Sequence, residues 1–245
     1  MNKMPEVKFL IAGDSALTVE FGNDISVKIN GEVLALNDML MTHRVKGVIE
    51  TVPTYRSLLV YYDPCIIGYI KLVKKLKEFT HKLNTIGVAS KRIIEIPVCY
   101  GGAFGEDLND VANYTNLLQE EVIRLHCSQD YLIYMLGFLP GFAYLGGMDS
   151  KLETPRLDAP RTKIPAGSVA IGGKQTGIYP MPSPGGWRLI GSTPVKPYDP
   201  NREEPILYQA GDYIRFKPIT EQEFLQIQTL VEKGEYRCAV IEGNK

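Results

Sequence analysis

Val7 to Ala12 and Ala16 to Phe21 are short runs of β-forming, mostly apolar residues, separated by Gly13-Asp14-Ser15, which has the composition of a turn. The pair reads as a β-hairpin. From Asp24 the period changes: Ile25, Ile29, Val33, Leu36 and Leu40 recur at three- and four-residue steps, the face of one helix running to about His43. Val48 to Val52 and Ser57 to Tyr62 return to strand composition. Asp63-Pro64 then supplies a helix cap and a first-turn proline. The helix it opens carries Ile66, Ile70, Val73, Leu76, Phe79 and Leu83 inward, and Lys71, Lys74, Lys75 and Lys77 outward. Charges opposite an apolar stripe are the ordinary surface of a helix, so these lysines receive no functional reading. Arg92 to Val98 gives another strand. The first hundred residues thus follow the order ββαββαβ, an α+β sandwich with helices on one face of a sheet.

Gly101 to Gly105 reads as a linker or loop, followed by two short helices near Asp107–Tyr114 and Leu117–Cys127, with Asn116 and Gln119 suited to capping the second. The pattern then breaks. From Gly137 through Lys196 there are 11 Gly and 8 Pro in 60 residues, against 12 Gly and 8 Pro in the other 185. Helices do not survive that density, so short strands joined by tight turns, in a closed or nearly closed β structure, are expected. Gly211 to Phe216 adds a late strand. Glu221 to Glu232 forms a terminal helix with Phe224, Ile227, Leu230 and Val231 apolar.

A length of 245 residues fits two domains better than one. Charge is balanced at 27 basic and 28 acidic residues, so no global field draws the protein to nucleic acid or an anionic membrane. Any anion site is therefore local. The cysteines Cys65, Cys99, Cys127 and Cys238 are scattered, with no C-x-x-C pair and no histidine at zinc-ligand spacing, so no metal is expected on this chain. Early charges after Met1-Asn2-Lys3-Met4-Pro5 leave no room for a secretory signal, and no run reaches the roughly 20 apolar residues of a membrane helix. A soluble, cytoplasmic protein with reduced thiols is expected.

Chemistry concentrates in the glycine-rich stretch. Between Ala159 and Tyr198 stand Arg161, Lys163, Lys174, Arg188 and Lys196, with no acid among them, which points to something anionic nearby. Gly172-Gly173, Gly177 and Gly185-Gly186 free the backbone for positive φ, so that N–H groups converge on a carboxylate or phosphate. No phosphate loop is present, because Gln175 follows Gly173-Lys174 and Ser168 occupies the position of the first glycine. No G-x-S-x-G elbow occurs, and His43, His81 and His126 all precede the stretch. Neighbours in a helix point about 100° apart, so His126 beside Cys127 is read as a helix-end residue, not a catalytic pair. Asp149, Glu153 and Asp158 flank the basic segment, where turn-forming surface acids are the default, and Trp187 reads as core packing. Acid–base chemistry needs a carboxylate, His or tuned Lys at the substrate. A second chain is expected to complete the site.

Gly137-Phe-Leu-Pro-Gly-Phe-Ala-Tyr-Leu-Gly-Gly147, Pro160-Arg-Thr-Lys-Ile-Pro-Ala-Gly-Ser-Val169, Gly172-Gly-Lys-Gln-Thr-Gly-Ile-Tyr-Pro180 and Ser183-Pro-Gly-Gly-Trp-Arg-Leu-Ile-Gly191 together resemble the PxpB/KipI family, also labelled allophanate hydrolase subunit 1. Ile96-Pro-Val-Cys-Tyr-Gly-Gly102 and Gly13-Asp-Ser-Ala-Leu17 extend the match over nearly the whole chain. The resemblance implies a ferredoxin-like N-terminal domain over residues 1–100 and a cyclophilin-like β-barrel C-terminal domain over residues 101–245. It implies one subunit of a bacterial 5-oxoprolinase, inactive alone, which couples ATP hydrolysis to opening the lactam of 5-oxoproline with PxpA-like and PxpC-like companions. ATP would be used by the assembled complex and not bound by this chain alone. A KipI-type inhibitor of a sensor histidine kinase and a subunit related to urea carboxylase are the alternatives. A cyclophilin-like shape alone does not carry prolyl isomerase activity.

Under the enzyme reading, Arg161, Lys163 and Arg188 are the electrostatic contacts to 5-oxoproline or its phosphorylated form. Gln175, Tyr179 and Ser183 supply hydrogen bonds, and N–H groups near Gly185 and Gly186 hold the oxyanion. Under the inhibitor reading, Phe138, Phe142 and Tyr144 form an exposed contact surface. Two positions depart from the family pattern: Ala143 stands where Pro is usual, and Ser192 where Arg is common before Thr-Pro. One expected cation is therefore missing from the anion site.

Overall fold

A computed structural model describes residues 7–83 and 91–243, in two compact units, residues 1–89 and 90–245. The opening segment read for a secretory signal lies outside the described residues.

In the first unit, β1 (Lys8–Ile11) and β2 (Ala16–Glu20) form the expected hairpin, with Gly13 in the left-handed region at φ 72°. The helix α1 (Val27–His43) starts where the Ser26 side chain accepts the Ile29 N–H at 3.2 Å. It buries Val33, Leu36 and Leu40, as their spacing requires, while Ile25 precedes the helix and is exposed. After β3 (Val48–Pro53) and β4 (Ser57–Tyr62) comes α2 (Tyr69–Lys82), later than Asp63-Pro64 suggests. The Asp63 carboxylate instead accepts the Cys65 N–H at 2.8 Å, which makes a local turn. The helix therefore buries Leu72, Leu76 and Phe79, and Ile70, two residues and some 200° before Leu72, is 84% exposed.

The sheet order is β1-β2-β4-β3, antiparallel throughout. Leu17 lies opposite Val60 and Val19 opposite Leu58, so these four share one face, and they cluster with the buried residues of α1 and α2. This is the expected two-layer α+β sandwich, reached in the chain order ββαββα. The βαββαβ order of a ferredoxin-like unit is not seen among the described residues.

The strand expected to close that unit, β5 (Arg92–Tyr100), belongs to the second. A 3-10 turn at Gly102–Phe104 follows, then α3 (Leu108–Thr115) and α4 (Gln119–Cys127). Asn116 ends α3 in the left-handed region and does not cap α4, whose N-cap is Leu118. Gln119 donates instead to the Asn109 side chain at 3.2 Å. Next come β6 (Tyr131–Leu136), β7 (Ala143–Gly146), β8 (Arg161–Ile164), β9 (Ser168–Gly172), β10 (Gln175–Ile178), β11 (Ser183–Gly185), β12 (Arg188–Ser192) and β13 (Tyr213–Pro218). The helix α5 (Glu221–Glu232) opens with a capping box between Thr220 and Glu223, and β14 (Val240–Glu242) ends the described chain.

The main sheet runs β10-β9-β12-β5-β13-β6-β7, with β14 also on β5, and is antiparallel except for the β5–β13 pair. Its two end strands, β10 and β7, lie side by side, so the sheet nearly closes into a barrel. Ile94, Ile96, Val98, Ile133, Val169, Ile171, Ile190 and Phe216 fill its core together with Val111 of α3 and Val122 of α4. Each such side chain contributes about 1.5–3 kcal/mol of hydrophobic stabilisation. The strands β8 and β11 form a separate two-stranded ribbon over a smaller core of Phe142, Ile164, Ala170, Tyr179, Trp187 and Leu189.

Candidate functional site

The ribbon and its small core gather most of the residues singled out from the sequence. Register places Arg161 opposite Gly185 and Ile164 opposite Ser183. Ile164 and Arg161 are three residues apart while their partners are two apart, so the register shifts between Ser183 and Gly185 and simple alternation does not hold there. Beneath them Phe142 meets Tyr144, Tyr179 and Trp187 edge to face, at centroid separations of 5.3, 5.8 and 5.8 Å. The lone tryptophan is thus a core residue, as expected.

The glycines serve this packing. Of the five expected to free the backbone for an anion, only Gly173 has positive φ, 63°. A Cβ at Gly172 would run into the Trp187 indole, and one at Gly185 would lie 2.5 Å from Tyr179 Oη. These positions are small because rings lie against them, which corrects the reading of the glycine cluster as an anion cradle. The backbone of Gly173 is also committed: its N–H donates to the Thr154 carbonyl at 2.8 Å and its carbonyl accepts the Thr154 N–H at 3.3 Å.

Charge is likewise compensated within the fold. Arg161 Nη2 donates to Asp107 Oδ1 at 2.8 Å, and its Nε lies 3.0 Å from Glu106 Oε1. Asp107 stands at the N-terminus of α3 but makes no cap bond there. Its second oxygen accepts the Leu189 N–H at 2.7 Å, and its own N–H donates to the Leu189 carbonyl at 2.8 Å. Arg188 donates to the Pro155 carbonyl at 3.1 Å and reaches Asp110 at 3.5 Å. The acids that meet the two arginines therefore come from residues 106–110, while Lys196 lies 3.8 Å from Asp199. Nothing in that segment's own composition announces them, since the pairing with Arg161 spans 54 positions.

The other candidates divide. Tyr179 and Ser183 are buried, Gln175 is half-buried at the start of β10, and Lys163 is exposed on β8. Burial pushes the Tyr179 phenol up, opposed by the Trp187 N–H and by Arg156 and Arg161, so it stays protonated at neutral pH. Gly186 lends its carbonyl to the Leu157 N–H at 2.7 Å. Phe142 is buried, Tyr144 half-buried, and Phe138 is 64% exposed at φ 65°, edge-on to Phe142. Glu153 and Asp158 are exposed, and Asp149 caps a 3-10 turn through the Lys151 N–H.

His126 sits apart from the ribbon in a closed polar chain. Its Nδ1 is 2.7 Å from Tyr100 Oη and its Nε2 is 2.7 Å from Thr176 Oγ1, while Thr176 donates to the Ala170 carbonyl and Cys127 donates to Tyr100. With Thr176 committed as a donor, Nε2–H donates to it and Nδ1 accepts from Tyr100, so every group is satisfied by a neutral ring. Complete burial lowers the His126 pKa to about 3. The histidine is structural, and Cys127 meets it through Tyr100. Among the described residues no three His, Cys, Asp or Glu side chains are grouped to hold a metal ion. No helix among them is long and apolar enough to cross a membrane.

Residues 7–208 match the family described as "Carboxyltransferase domain, subdomain C and D". The chain is 42% identical over 222 residues to the B-type subunit of the 5-oxoprolinase of Bacillus subtilis, covering 86% of this chain and 92% of that one. The crystal structure of TTHA0988 is similar with TM-score 0.75 and 40% identity over 84% of this chain, which spans 40% of that longer one. The urea amidolyase of K. lactis shares the fold at TM-score 0.79 and 22% identity, with 98% of this chain matching 16% of that chain.

Proposed function

Because this chain belongs to the carboxyltransferase subdomain C and D family, and within it to the group of B-type 5-oxoprolinase subunits, we propose that it is the B-type component of an ATP-dependent 5-oxoprolinase. The complex opens the lactam of 5-oxo-L-proline to L-glutamate in the cytoplasm, together with PxpA-like and PxpC-like chains. The observation that carries this reading is the near end-to-end match to the B. subtilis protein. The site agrees in kind. It offers hydrogen-bond donors around an aromatic floor, and neither group that would serve as a base is free to do so: Tyr179 is held as the phenol and His126 is sealed in the core. On this reading a companion chain supplies the base.

ATP does not fit the residues present, since the Gly173 N–H that a phosphate would need already bonds Thr154, and Arg161 and Arg188 are paired with acids. Nucleotide binding is assigned to a companion. Tagged co-expression tests the assembly: the three chains elute together, and elution of this chain alone, with both companions folded and present, contradicts the reading.

A second reading, inhibition of a sensor histidine kinase, is favoured by Phe138, an aromatic held exposed in a backbone conformation that costs about 1 kcal/mol or more in a non-glycine residue. Undiminished autophosphorylation of candidate kinases in the presence of the protein argues against it.

A further inference from the structure

Arg156 lies just before the basic segment that opens at Ala159, and it differs from the arginines within that segment. Arg161 is paired with Glu106 and Asp107, and Arg188 with Asp110. Among the described residues Arg156 forms no ion pair and its side chain makes no hydrogen bond, although Glu153 and Asp158 are near it in sequence. Its guanidinium carbon stands 5.8 Å from the centroid of the Trp187 ring, within cation–π range. The residue is exposed, so a solute reaches it from solvent.

The backbone holds this cation in place. Thr154 pairs with Gly173 in both directions, at 2.8 and 3.3 Å, and the Pro155 carbonyl accepts from Arg188 Nε at 3.1 Å. On the other side the Leu157 N–H donates to the Gly186 carbonyl at 2.7 Å, directly before Trp187. Arg156 is therefore fixed from both flanks against the aromatic core. Its charge reaches Tyr179, whose phenol it draws down against the effect of burial. Lys163 and Lys174 are exposed and lack acids too, but no ring or hydrogen bond orders either side chain among the described residues.

An ordered guanidinium with free donors suits a carboxylate, because its planar fork matches the two oxygens. Holding the side chain beforehand reduces the entropy lost when a ligand binds. An anion at Arg161 or Arg188 would meet acids already in contact with the guanidinium. At Arg156 it meets none.

We propose that Arg156 is a specificity-determining residue that receives the carboxylate of the substrate, so that the enzyme favours a lactam carrying an acid group. This rests on the reading of the chain as part of a 5-oxoprolinase, and it moves the expected anion contact from Arg161, Lys163 and Arg188 to Arg156.

Kinetics of the assembled chains test it. Arg156→Met raises KM for 5-oxo-L-proline about tenfold or more, the value of a charge-assisted contact, and Arg156→Lys raises it less. Cyclopentanecarboxylate, a ring acid without the amide, inhibits the wild type and loses potency in Arg156→Met by the same factor. 2-Pyrrolidinone, the ring amide without the acid, inhibits both alike, which a merely structural arginine would not produce. An unchanged KM, or equal weakening of the two inhibitors, overturns the proposal. Loss of co-elution with the companions in Arg156→Met, with KM unchanged once they are in excess, assigns the arginine to a companion's acid and overturns it as well. A second measurement uses this chain alone: cyclopentanecarboxylate changes the fluorescence of Trp187, the single tryptophan, and does not do so in Arg156→Met. If the assembled wild-type chains release no glutamate while that response persists, the enzyme reading fails and the carboxylate site stands.

Discussion

Asp107 holds Arg161 at 2.8 Å with one carboxylate oxygen and the Leu189 N–H at 2.7 Å with the other, so one buried acid joins the start of α3, the ribbon strand β8 and the barrel strand β12. Replacing it with Ala leaves Arg161 Nη2 and the buried Leu189 N–H without their acceptor, while Arg161 Nε keeps Glu106. Asp107→Ala is expected to destabilise the second unit by about 3 kcal/mol. Asp107→Asn, which keeps an acceptor for Leu189, costs less. Urea unfolding followed by Trp187 fluorescence checks this cleanly, because the single tryptophan lies in that unit. An unchanged midpoint in Asp107→Ala contradicts the role given to this acid.

The glycine at the ribbon is a packing requirement. Gly185→Ala brings a methyl group onto Tyr179 Oη and Ile164 Cδ1, and is expected to cost about 1–3 kcal/mol. Gly173→Ala meets no atom within 4 Å and is strained only by its φ of 63°, so its cost is smaller, about 1 kcal/mol. Thermal melts of the two variants check the order; equal melting temperatures contradict it.

The neutral, sealed His126 makes stability depend on pH. Its pKa is about 3 in the folded chain and ordinary, near 6.5, when unfolded, so between those values the unfolded state binds a proton that the folded state does not. Stability from this group is full above about pH 6.5 and declines as pH falls toward 3. The slope approaches 1.4 kcal/mol per pH unit, or about 2 kcal/mol between pH 6.5 and 5. In His126→Gln that part of the slope disappears, whatever the cost of the substitution at pH 7.5. A slope that persists in the variant places the titration elsewhere.

Ser183→Ala removes a buried hydroxyl that has no hydrogen-bond partner among the described residues, and leaves the melting temperature unchanged or raised. A lowered melting temperature shows that the hydroxyl has a structural partner and contradicts this expectation.

Much of this architecture is visible along the chain, because Val33, Leu36 and Leu40 keep helical spacing and the glycine-rich stretch excludes helices. Other features are hidden for physical reasons. Asp63-Pro64 carries a helix-start signature, yet the Asp63 side chain closes a turn on Cys65 and the helix begins six residues later, at Tyr69. The strand Tyr131–Leu136 is a continuous apolar run soon after α4, where periodicity alone cannot separate strand from helix. At the site, the basic segment points to an anion only while its partners are unseen. Glu106, Asp107 and Asp110 are remote in sequence and become neighbours through the fold, which turns the same arginines from an anion trap into a compensated, directional donor set.

If this chain is an obligatory part of a lactam-opening enzyme, the assembled activity must depend on it. The decisive assay is glutamate release from 5-oxo-L-proline and ATP by PxpA-like and PxpC-like chains, with and without this protein. Glutamate forms when all three chains are present and stays at background when this chain is omitted. Equal release in its absence, or none when all three folded chains are present, contradicts the account.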